Sequence, residues 1–179
     1  MGCALSALAL GACIPWDRGE DEPDPADRPP LPGETAEERC EAFYAQGLLI
    51  EGRSREELAR ELGEPSVRSH ETEPNRHVPD QVDTLWALGY EGAEVYLRTA
   101  GGRDLTERIS ITDDRHLRFR DPTIGTSEEA LTDLLGEPHD EWADAAQYLC
   151  APEPGPEMPV TFRLEEARVR GIAWHFYVD

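Results

Sequence analysis

The chain has 179 residues, 38 acidic against 17 basic, for a formal net charge of −21 at pH 7. That charge repels phosphates and anionic headgroups, which excludes a nucleic-acid binder or a polybasic membrane-surface protein. All 17 basic residues are arginine, so no Schiff-base or P-loop lysine exists, and GxGxxG, GxSxG, HExxH and CxxC are missing as well.

At the N-terminus, Ala4 to Ala12 is an apolar or small, uncharged run, too short to span a bilayer. Ending in Leu10-Gly11-Ala12-Cys13, it resembles the lipobox of bacterial lipoprotein signal peptides. The resemblance implies a signal peptide over 1–12, cleavage before Cys13, lipidation of that cysteine including palmitate, and a cell-envelope location. A rival reading stays open. Met1-Gly2-Cys3-Ala4-Leu5-Ser6 fits the myristoylation pattern, with Cys3 as the palmitoylation candidate. Ile14 to Pro32 is rich in Pro and Asp with almost no apolar residues, so 13–33 reads as a disordered acidic tether.

Thr35 to Gly47 reads as a helix with a Thr35/Glu38 capping box and a stripe of Ala36, Cys40, Phe43 and Gly47. Ser54 to Pro65 and Ser127 to Pro138 share seven identities in twelve positions at an offset of 73, the mark of a tandem repeat. Each copy reads as a short helix, capped by Ser54 with Glu57 in the first and by Thr126 with Glu129 in the second. Leu58/Leu62 and Leu131/Leu135 are the buried pairs. Gly63-Glu64-Pro65 and Gly136-Glu137-Pro138 end the helices.

Strands are expected at Val82–Tyr90, Glu94–Arg98, Arg108–Thr112 and His116–Arg120, then at Gln147–Cys150, Val160–Leu164 and Arg168–Val178. The fold class is α+β: two tandem helix-plus-antiparallel-sheet repeats sharing one sheet, helices on one face. The expected boundaries are 34–121 for the first repeat with its extra helix and 122–179 for the second.

Together, the lipidated cysteine, the acidic tether, Ile50-Glu51-Gly52-Arg53-Ser54, Leu62-Gly63-Glu64-Pro65 and a strand holding Trp86 and Tyr90 resemble the SmpA/OmlA (BamE-like) family of outer-membrane lipoproteins. The tandem arrangement is similar to the β-lactamase-inhibitor-protein fold. The resemblances imply a periplasmic, membrane-anchored, non-enzymatic protein-binding or scaffold module, in outer-membrane assembly or, alternatively, as an inhibitor of a hydrolase.

No nucleophile, base and orienting partner stand in recognisable context, so no enzyme is expected. His70, Glu71, His77 and His139 read as solvated loop residues, so neither metal nor cofactor is expected. Asp113, Asp114 and His116 read as a turn. Cys40 and Cys150 are an even pair that an oxidising compartment would bond, although Cys40 reads equally as a core thiol.

Strand parity sends Val95, Leu97, Ile109, Ile111, Leu117, Phe119, Val160, Phe162, Leu164, Trp174 and Phe176 towards the helices. The other face then holds Tyr96, Arg98, Arg108, Arg118, Arg120, Arg163, His175 and Tyr177. Arg and Tyr dominate interface energetics, so this face is expected to bind an envelope protein partner.

Overall fold

The computed structural model describes residues 25–47, 53–150 and 158–176. Its helices are α1 (Ala36–Gly47), α2 (Arg55–Leu62) and α3 (Glu128–Leu135). Its strands are β1 (Val67–Pro74), β2 (Val82–Tyr90), β3 (Ala93–Ala100), β4 (Arg103–Ile111), β5 (Asp140–Trp142), β6 (Ala145–Leu149), β7 (Pro159–Glu165) and β8 (Arg168–His175).

All eight strands form one antiparallel sheet in the order β1-β2-β3-β4-β8-β7-β6-β5. Two four-strand meanders therefore meet along β4 and β8, in register from Arg108↔His175 to Ile111↔Ile172. One helix precedes each meander in the chain, and α1 is additional. Tight hairpins close β2–β3, β3–β4, β5–β6 and β7–β8, the short connection that antiparallel neighbours allow.

The helix ends follow local chemistry. Thr35 Oγ1 accepts from Glu38 N at 3.2 Å while Glu38 Oε2 accepts from Thr35 N at 3.1 Å. Ser54 and Glu57 form the second such box. α3 differs from expectation. Its cap is Ser127, whose side chain accepts from Ala130 N, because Thr126 is otherwise engaged: its hydroxyl takes Thr123 N and its carbonyl takes Val169 N. Gly63 and Gly136 end their helices at φ 84° and 85°, a region that disfavours any residue with a Cβ.

One face of the sheet and the helices enclose the core. Val95, Leu97, Ile109, Val160, Phe162 and Trp174 point inwards and are almost fully buried, as parity requires. Phe43 stacks between Phe162 and Trp174, with ring centroids 5.5 and 5.3 Å away, and Leu58 and Leu131 complete the layer. Cys40 and Cys150 form a disulfide with Cα atoms 4.9 Å apart, tying α1 to the end of β6. This decides between the bonded pair and the core thiol.

Four expectations are corrected. β1 and β5 have no counterpart in the expected elements; both are edge strands, exposed along nearly all their length, and carry no apolar alternation. His70 and Glu71 therefore sit on a strand rather than in a loop. His116–Arg120 is not a strand. A 3₁₀ turn covers Asp114–His116, and the next backbone donors go to Gln46 (Arg118 N to Oε1, 2.8 Å) and to Pro29 (Arg120 N to its carbonyl, 3.0 Å). Finally, the expected tether is part of the folded unit at its C-terminal end: Leu31 lies in the core, and buried Arg28 donates to the Asp114 carbonyl at 2.5 Å. Cys13 and the rest of that segment lie outside the described residues.

Candidate protein-binding face

With helices packed on one face, the opposite face of the sheet is left open among the described residues. Alternation places Ser69, Glu71, Asp83, Leu85, Ala87 and Tyr96 on its β1–β3 half. A cavity of about 510 Å³ there is lined by several of these residues and Glu107. A larger one of about 770 Å³ lies elsewhere, beside the disulfide, among Glu37, Glu41, Glu137 and His139.

The expected cationic cluster does not assemble as one group. Arg98 is held by three carboxylates of its own sheet: Glu73 at 2.5 Å, Glu107 at 2.7 Å and Asp83 at 3.2 Å. Burial disfavours its charge, but hydrogen bonds to Glu73, Glu107 and Asp83 outweigh that and hold its pKa above the ordinary guanidinium value. Asp83, only 2% exposed, also accepts from Asn75 Nδ2 at 2.9 Å and from Gln81 Nε2 at 3.1 Å. Those two side-chain bonds, with Arg98 behind them, keep its carboxyl below the usual range. Arg98 is thus a structural cation, its charge met by carboxylates of its own sheet before any partner arrives.

Arg118 and Arg120 leave the face because they lie on the irregular segment after the 3₁₀ turn. Arg120 pairs with neighbouring Asp121 at 3.1 Å, and the Arg118 guanidinium sits 6.0 Å from the Phe119 ring centroid. Tyr177 lies outside the described residues.

Tyr96, Arg163 and His175 remain on the face, joined by Arg108. The Arg108 guanidinium stacks 4.0 Å over the Tyr96 ring, and His175 stands beside it in register. Arg108 Nε is buried without a hydrogen-bond partner. Desolvation first, and the Arg108 charge second, lower the His175 pKa below the ordinary imidazole value and favour the neutral ring. Arg163 is exposed and lies across Gly171, where a Cβ would sit 3.6 Å from its Nη2.

Trp142, 49% exposed, is on the same face one strand beyond Ala145, which pairs with both it and Arg163. The sequence reading misses it because β5 shows no alternation; a tryptophan alone in the polar stretch from Glu137 to Asp144 is the available signal. Asp113 and Asp114 do form a turn, accepting from Arg115 N and Ile124 N. Among the described residues no group of three His, Cys, Asp or Glu could hold a metal ion. No described helix is long and apolar enough to cross a membrane.

No protein-family model matches the chain, and neither does any curated protein. The chain is similar to one solved structure, described as a "putative beta-lactamase inhibitor protein" from Streptococcus mutans, at 16% identity and a TM-score of 0.25, covering 71% of this chain and 85% of that one. A TM-score that low carries no argument about fold or partner.

Proposed function

We propose that this chain is a non-enzymatic protein-binding module of the cell envelope, held at a membrane through lipidated Cys13, that takes its partner on the open face of its sheet. One observation carries the reading. Helices cover one face of an eight-stranded sheet, while the other presents Arg108, Arg163, Tyr96, His175 and Trp142 over small side chains such as Ser110 and Ala173. Aromatic and arginine side chains over small, closely approachable residues are the composition of an interface core. The seven-in-twelve match between the α2 and α3 segments, each followed by a meander, supports an origin by tandem repetition.

The test is site-specific photo-crosslinking of the full chain in its native membranes. A photoreactive residue at Thr161, on the open face, should form a protein adduct, and one at Ala130, on the exposed side of α3, should not. Adducts from α3 alone would refute the open-face reading. Envelope assembly subunits in the adduct favour a scaffold, and a soluble hydrolase favours an inhibitor. Membrane fractionation tests the anchor: Cys13→Ser should release the protein and Cys3→Ser should not, while the reverse result favours myristoylation with palmitoylation.

A further inference from the structure

The two halves of the open face differ in charge. On the β1–β3 half and the adjoining end of β4, Glu73, Asp83 and Glu107 are consumed by Arg98, while Glu71 and Glu94 stand exposed on the same face. On the half formed by β4, β8, β7 and β6, register places Arg108, Ser110, Ala173, His175, Thr161 and Arg163 outwards. Glu165, at the β7–β8 hairpin, is held by Arg170 at 3.4 Å. Among the described residues neither Arg108 nor Arg163 has a carboxylate partner, in a protein with 38 acidic residues.

Resting on the open-face reading, we infer that the occupant is an acidic segment of a partner protein, held by Arg108 and Arg163 across the β4–β8–β7–β6 half of the sheet. Arg108 opposes His175 and Arg163 opposes Gly171, four residues apart on β8 and one strand to either side of it. At ~3.3 Å per residue and ~4.8 Å per strand, their Cα atoms stand about 16 Å apart. One small anion cannot bridge that span; two carboxylates on a polypeptide can. The floor between them is Ser110, Ala173 and Thr161, small side chains that let a backbone come close. Each guanidinium can then make a charge-assisted, bidentate pair through its Nη atoms. A membrane surface is disfavoured as occupant, because −21 charges oppose approach to anionic lipid. The same field opposes an acidic protein at long range, so affinity comes from close contact and the association rate rises with added salt.

The test uses full-length protein in native membranes with the photo-crosslinker at Ala173, and mass spectrometry maps the adduct. The expected adduct is on another protein, in a segment bearing at least two acidic residues. Its yield should fall about tenfold in Arg108→Gln and in Arg163→Gln. It should hold in Arg60→Gln and Arg76→Gln, which remove the same charge at exposed positions on α2 and in the β1–β2 connection, off the patch. Unfolding midpoints of all four variants should match wild type, which separates lost binding from lost fold. A wild-type adduct with undiminished yield in both face variants overturns the acidic-segment inference and leaves the open-face reading intact. So does an adduct on lipid, on a second copy of this chain, or on its own residues 14–24. No adduct from Ala173 or Thr161 removes the open-face reading itself.

Discussion

Replacing Cys40 and Cys150 together by alanine opens a covalent loop with a sequence separation of 110. In the chain-entropy relation a loop of that length restricts the unfolded chain by about 4.8 kcal/mol at 25 °C. Little in the folded state offsets the loss, because α1 keeps its other attachments: Phe43 remains stacked between Phe162 and Trp174, and Trp174 Nε1 still donates to the Phe43 carbonyl at 3.4 Å. The double variant is therefore expected to fold, less stably by about 4–5 kcal/mol. For a domain of this size that lowers the thermal midpoint by about 10–20 °C. Urea unfolding followed by circular dichroism measures the first quantity and a thermal scan the second. Wild type held in reductant should reproduce both. If non-reducing peptide mapping finds the Cys40–Cys150 link in wild type, yet the variant loses under about 1 kcal/mol, the loop-closure argument is refuted.

Phe43→Ala should cost about 3–5 kcal/mol by urea unfolding, because a fully buried ring is replaced by a cavity. Asp83 has a depressed folded pKa, so its stabilisation is present above the ordinary aspartate value of 3.8 and is lost as pH falls through the folded pKa. Asn75→Ala removes the first cause of that depression and should flatten the fall in stability on acidification below 3.8. His175 should titrate below 6.5 by NMR, and Arg108→Gln should raise its midpoint. Its folded pKa is lowered, so the unfolded chain binds the proton first: stability should drop as pH falls below 6.5, and His175→Gln should remove that component.

Features that depend on neighbours in the chain were legible in the sequence. The capping boxes at Thr35/Glu38 and Ser54/Glu57 and the terminators at Gly63 and Gly136 each need contacts within about four residues. β2 and the inward faces of β4, β7 and β8 were legible too, because a half-buried strand writes its two environments into alternate residues. Only the tertiary structure decided the rest. β1 and β5 are strands because β2 and β6 supply hydrogen-bond partners at the sheet edges, where no core demands apolar residues. Leu117 and Phe119 alternate as a strand would, yet Gln46 and Pro29, more than 70 residues upstream, take the backbone donors that a neighbouring strand would have needed. Arg98 and Arg163 look alike in sequence, each on the outward parity of a strand. Register sets Arg98 among three carboxylates and Arg163 over the bare backbone of Gly171, so one holds the fold together and the other faces outward with its charge unspent.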